Sequence, residues 1–462
     1  MKRLIVFSLL LLSHALVFGQ VGINNTDPKS QLDISSTSTT TPLSTDGILI
    51  PRIDTFPATN PTADQHSMLV FLSNTVGTNS PGFYYWDNSI PAWIGLNLKT
   101  SWELTGNAGT TPGTNFLGTT DAADLDIVTN NTVKLKITQK GQLEVYNTGD
   151  SVFIGEGAGE NDNLSYNANV FIGYNSGFSN TSGNSNVAIG YSALSSGVDG
   201  YSNIALGSST LVNNTSGSGN IALGATALTS NITGSNNIGF GIDALRSNTT
   251  GSQNFALGNN TLPNNTTGVS NIGIGFQTIY DNQTGDHNIG IGFEVMARNT
   301  VSSHNIALGY QALYNNNNGD DNIVLGRNSF LDLLSGSNNI ILGQDAMGNV
   351  TSGNNNIAIG DTSGGDLTSG SNNIYIGNNT DMPGSTGSNK LNIGNAIYGN
   401  LSTGNIGVGI TNPTEKLHIN GTIKAVDINF SGITDYATDA AADAALSSGD
   451  VYRIGRTLKI KP

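Results

Sequence analysis

From Asn169 to Gly394 the chain repeats one five-residue phrase of the type Asn-Ile-Ala-Leu-Gly. Its closing glycine falls on every seventeenth residue from Gly173 to Gly394, without insertion or deletion. An earlier copy, Val152-Phe153-Ile154-Gly155, is one residue out of step. The second and fourth positions are large and apolar in every copy, as in Ile204 and Leu206 or Ile238 and Phe240. The residue between them is usually Ala or Gly, for example Ala188, Ala205 and Gly239. Apolar residues two apart in so short a run predict a strand. Self-similarity at a fixed short period predicts a solenoid, in which each repeat is one coil.

The pattern places the aliphatic pair inside the coil and the small middle residue outside. Four residues past each glycine a further apolar side chain recurs, including Leu194, Leu211, Ile279 and Met296, and predicts a second inward contact. A polar corner follows, of the type Asn-Asn-Thr-Thr-Gly, with residues that tolerate positive φ. The leading Asn recurs from Asn169 to Asn373 in thirteen consecutive coils, which predicts an amide ladder along the axis. The predicted fold is all-β: a parallel β-roll or β-solenoid of about fourteen coils over 151–394. At about 4.8 Å per coil it is roughly 65–70 Å long. With about three large side chains inside each coil, the core is thin, and a lone coil cannot bury its own face. Small residues on the outer surface then suggest three chains side by side, a homotrimer.

The phrase with its Ala-Leu and Asn-Thr-Thr-Gly continuations resembles the head repeat of YadA-like trimeric autotransporter adhesins, most closely at Asn186-Val187-Ala188-Ile189-Gly190. That resemblance implies a trimeric left-handed parallel β-roll and an adhesive role. It covers about half the chain, and the coil here is longer than the family's usual repeat.

Around the solenoid the composition changes. Residues 1–19 read as a secretory signal: Lys2 and Arg3, an apolar body from Leu4 to Phe18, and cleavage between Gly19 and Gln20. Its apolar run falls short of the ~20 residues that span a bilayer, and no later stretch is long enough, so no transmembrane segment is expected after cleavage. Residues 20–100 read as a small β module and 101–150 as a β linker with alternating strands at Leu125–Val128, Val133–Ile137 and Leu143–Val145. Val21-Gly22-Ile23 with Pro28 and Leu32-Asp33-Ile34, and Val408-Gly409-Ile410 with Pro413 and Leu417-His418-Ile419, share one plan of strand, Pro-containing turn and strand. They resemble segments that flank domains in secreted Bacteroidetes proteins and phage tail fibres. The second belongs to a connector over 395–434. In 435–462 the alanine-rich run Tyr436–Leu446 predicts the one helix of the mature chain. Gly449–Arg453 and Thr457–Lys461 predict a closing hairpin, resembling the ends of phage-fibre-like proteins.

Composition narrows the function. The chain has 462 residues, 59 glycines, no cysteine, 11% charged residues and a formal charge of −15. Acidity argues against a basic surface for nucleic acid, and the lack of cysteine removes thiolate chemistry and disulfides. No catalytic set can be assembled from the scattered carboxylates and few histidines, no cofactor is implied, and the calcium nonapeptide of toxin-type rolls is missing. One metal candidate stands out. His287, His304 and Asp321 occupy the slot before the leading Asn in three consecutive coils, where stacking at about 4.8 Å would bring them within reach of Zn²⁺ or another divalent metal. The same slot elsewhere holds Asn236, Gln253 and Ser270, which is ordinary corner chemistry. Tyr84, Tyr85, Trp86 and Trp93 form a candidate sugar-stacking platform, against the plainer reading of a strand alternating core and surface aromatics. The expectation is an extracellular or cell-surface, non-enzymatic fibrous protein that attaches to a host, matrix or cell-surface protein or glycan. The alternative is a carbohydrate-binding or fibre component of a phage-tail-like assembly.

Overall fold

The computed structural model describes residues 20–96, 110–111, 116–384, 386–426, 432–435, 437–447, 451–454 and 457–460. The expected signal segment, 1–19, lies outside the described residues. The chain forms two compact units, divided between Thr120 and Asp121.

The first unit holds two small sheets. Val21–Ile23 pairs in parallel with Leu32–Ile34. Arg52–Ile53, Leu69–Leu72, Gly82–Asp87 and Ala92–Gly95 make a four-stranded sheet, parallel in its first pairing and antiparallel in the others. Its small core is Val70, Leu72 and Tyr84, with Phe56 and Trp93 packed against them.

The second unit opens with the antiparallel sheet Leu125–Thr129, Thr132–Ile137 and Leu143–Val145, as the alternation predicts. The solenoid follows. Strands from Val152–Ile154 to Lys390–Ile393 stack in parallel, one coil apart, within an 18-stranded sheet. Every coil from Val170–Ile172 to Ile374–Ile376 keeps the phrase in register, so Ile204 lies over Ile221 and Leu206 over Leu223. The first step alone spans eighteen residues, Val152 pairing with Val170. The closing glycine is required where the strand turns. Gly241 has φ 137, and a Cβ there would overlap the carbonyl oxygen of Gly258 in the next coil.

The direction of the aliphatic pair is the reverse of the expectation. The middle residues Ala188, Ala205, Ala222, Ala256 and Ala307 are fully buried, whereas Ile189, Phe240 and Leu257 are more than a third exposed. The reason is parity. An extended strand puts Asn203 and Ala205 on one face and Ile204 and Leu206 on the other, and a 17-residue coil is too narrow to hold two rows of branched side chains opposite a leucine. The interior therefore pairs one middle residue, small in most coils and Phe171, Val324, Ile341 or Tyr375 in the others, with the apolar side chain four past the glycine. Leu194, Leu211, Leu228, Leu245 and Leu262 are buried as predicted, and these residues adopt positive φ, 53° at Leu228. The outer surface at the strands is aliphatic, not small.

The remaining interior is amide. The leading Asn residues are buried and form the predicted ladder. The backbone N–H of Asn220 donates to Asn203 Oδ1 at 3.0 Å, and Asn220 Nδ2 donates to the Gly234 carbonyl at 2.9 Å. A second ladder, not anticipated, runs through Asn214, Asn231, Asn248, Asn265 and Asn282. Asn231 Nδ2 donates to Asn214 Oδ1 at 2.7 Å and to the corner carbonyl of Gly234 at 2.8 Å. Buried polar groups are costly only when unpaired, and here each coil satisfies the next as far as Asn316, whose Oδ1 ends the second ladder without a partner.

Past the last parallel coil the sheet changes sense. Ile397–Asn400 and Asn405–Val408 add antiparallel, and Leu417–Ile419 pairs in parallel with Ile406–Val408. The Pro-containing plan is thus present at both predicted places, but its first strand is centred on Gly407, two residues before the Val408-Gly409-Ile410 alignment. The helix is shorter than predicted, Asp439–Ala445, because Thr438 caps it by accepting from the Ala441 N–H. The closing hairpin pairs Val451–Ile454 with Thr457–Ile460.

Candidate functional site

The outward aliphatic columns make the most distinctive surface of the second unit. Each strand sends two side chains out, and stacking in register turns them into two continuous apolar stripes. Twelve of these side chains, among them Ile189, Phe240, Ile291, Leu325 and Ile359, remain more than a third exposed. Isolated exposed apolar residues are normal on soluble proteins, but a contiguous band of them marks an interaction surface.

Midway along the solenoid the band widens. The strands Ile289–Phe293 and Ile306–Tyr310 extend to five residues, so Phe293 and Tyr310 join the same outward face. Phe276, Phe293 and Tyr310 stack with centroids 5.5 and 5.3 Å apart. Their rings cover one another's faces, so the surface they present is ring edge. Tyr174 and Tyr191 form a second such pair at 5.4 Å. These aromatic steps were missed in the sequence because the residue after the closing glycine varies, from Ser208 to Arg327. Only the pairing of consecutive coils shows which of them meet.

His287, His304 and Asp321 do occupy equivalent places, and the two imidazoles lie parallel at 5.1 Å and 2°. Each of the three has φ near 60°, so the slot selects residues that accept left-handed backbone. Asn236, Gln253 and Asn338 meet the same demand, which accounts for the column without a ligand. Among the described residues no group of three His, Cys, Asp or Glu side chains is placed to hold a metal ion.

The four aromatics of the first unit do not form an open platform, which corrects the sugar-stacking expectation. Tyr84 and Trp86 are buried at 3% and 1% exposure. Trp93 packs on Phe56 with centroids 5.4 Å apart and on Trp86 at 5.7 Å. Tyr85 points to the opposite face of the strand and is half-buried. The alternation along Gly82–Asp87, the ground of the plainer reading, sends every second ring inward.

Two further places carry polar chemistry. In the coils after Asn316 the second amide ladder gives way to Leu333, Val350 and Leu367, all buried. The corner there loses its amide support and turns differently, with Gly336, Gly353 and Gly370 at φ 148–159. Short parallel bridges join Asn318, Ser335, Ser352 and Ser369, and a shallow polar groove opens beside them. At the end of the core, burial pushes the Tyr375 phenol up to about 12, helped by the Asp381 charge. Burial also raises the Asp381 carboxyl. Neither place brings together a nucleophile and a base.

Comparison with known proteins adds one finding. A family model described as a phage tail like trimerisation region matches residues 20–111. It covers the N-terminal module and not the solenoid. No curated protein and no solved structure matches the chain. The trimerisation match and the β-solenoid together fit a phage-tail-fibre-like protein. Among the described residues no helix is long and apolar enough to cross a membrane.

Proposed function

We propose that the chain is a non-enzymatic, homotrimeric fibre component, exported by its leader, whose solenoid serves as a stiff spacer and contact surface in attachment to a cell-surface or matrix partner. The observation that carries this reading is the pair of outward apolar stripes on a chain that also matches a trimerisation region. In a trimer the stripes of three copies cover one another, which removes the apolar surface from water at about 25 cal/mol per Å². The resemblance of the repeat to adhesin heads supports the adhesive role.

Light scattering on residues 20–462 tests the assembly, with a mass of three protomers expected. A monomeric mass sinks the fibre reading. Beads coated with the folded trimer are then expected to adhere to cells more than beads coated with heat-unfolded chain, and equal retention removes the attachment role.

A further inference from the structure

The two Pro-containing segments that flank the solenoid in sequence are one structural motif. In the first, Val21–Ile23 pairs with Leu32–Ile34, and in the second Ile406–Val408 pairs with Leu417–Ile419, each across eleven residues. Every fixed point coincides in this register. Gly22 and Gly407 are equivalent: an added Cβ would overlap the carbonyl oxygen of Asn25 or of Ile410. Asn24 and Gly409 follow with φ 61 and 69. Pro28 and Pro413 fall at the same place in the turn. The closing hydrogen bonds also match, Ser35 N–H to the Ile23 carbonyl at 3.1 Å and Asn420 N–H to the Val408 carbonyl at 3.0 Å.

The motif leaves the same apolar row uncovered in both copies. Val21, Ile23 and Leu32 are 55%, 51% and 55% exposed, and Ile406, Val408 and Leu417 are 42%, 40% and 60% exposed. The first arch, a sheet of two three-residue strands, has too little of its own core to hold an apolar row in water. The second, although paired with Ile397–Asn400 at the end of the solenoid sheet, leaves its row equally uncovered. The first arch lies inside the residues that match a trimerisation region, so copies of this chain are the cover that the match supplies. We propose that residues 405–420 are a second self-association point, where the arches of three chains pack their apolar rows together after the solenoid. This rests on the homotrimer reading. It adds that the three chains are joined a second time, away from the N-terminal trimerisation region and at the last strands of the stripes. There Ile393 pairs with Ile397, Ile397 with Val408 and Val408 with Ile419, so the arch continues the outward column.

The chain has no cysteine, so single cysteines report directly. Leu417→Cys and Leu32→Cys are made separately in residues 20–462 and treated with a short homobifunctional maleimide. Because both leucines are more than half exposed, the substitutions remove little packing within a chain. The proposal expects Leu417→Cys to give covalent chain pairs as the majority species, undiminished by tenfold dilution, as Leu32→Cys does. If Leu32→Cys pairs and Leu417→Cys does not, with Val408→Cys equally unpaired, the second association point is wrong and the trimer stands. If neither pairs and light scattering gives a monomer, the trimer reading falls and this proposal with it.

Discussion

At the scale of single residues the amides carry the most specific information. Each buried Asn donates toward the preceding coil and accepts from the following one, so both ladders are polar chains with their N–H ends at the first coils. Those ends meet one carboxylate. Asp162 Oδ2 accepts from Asn169 Nδ2 at 3.0 Å and from Asn180 Nδ2 at 2.8 Å, while Oδ1 accepts from Asn167 Nδ2 at 2.8 Å. An anion at the donor end of aligned amide dipoles is favourable for the reason that it is at a helix N-terminus. Asp162→Asn turns a donor toward donors and removes the charge. The expected loss is about 1.5–3 kcal/mol, read as earlier hydrogen exchange in the coils around Asn169 with little change around Asn305. Asp162 sits in the one coil with an extra residue, and that irregularity was the only sign of it in the sequence.

At the scale of the coil, stability comes from neighbours. A coil such as the one from Asn203 has a three-residue strand and a core of one leucine, one alanine and two amides, Leu211, Ala205, Asn203 and Asn214, and it exchanges nearly all its backbone hydrogen bonds with the coils on either side. Stability in such arrays is a sum of weak units and strong interfaces. Damage to one interface is therefore felt locally first. Gly241→Ala places a methyl group against the Gly258 carbonyl at a φ of 137. Strain of about 1–3 kcal/mol is expected, with a premature opening between the Ile238–Phe240 and Phe255–Leu257 strands. Hydrogen-exchange mass spectrometry locates that opening, and unchanged protection there would count against the glycine column as the stacking constraint. The sequence made the coils legible because periodicity survives variation. It did not disclose the corner that changes after Asn316, since Leu333, Val350 and Leu367 read as ordinary apolar substitutions until the lost amide support is seen.

For the whole molecule the question is what covers the outward stripes. Ile291 and Leu308 lie side by side on consecutive coils, outside the core and next to the stacked Phe293 and Tyr310. The double variant Ile291→Ser with Leu308→Ser is expected to leave circular dichroism of the coil unchanged, because neither side chain fills the interior. It should weaken association by about 1.5–3 kcal/mol for each apolar side chain left in water, seen as dissociation at protein concentrations where the parent stays trimeric. Unaltered association would mean that the stripes do not face partner copies.

Period, strand and leucine positions were fixed by the amino-acid order alone: a seventeen-residue beat admits few folds, and a leading Asn repeated thirteen times has to be paired with itself. Which side of the strand faces inward was decided only by the closed coil. Alternation defines two faces but does not say which is inside, and the answer depends on the width left between the strand and the leucine wall. The same holds for Tyr84 and Trp86, whose alternation is plain and whose burial needs the sheet around them.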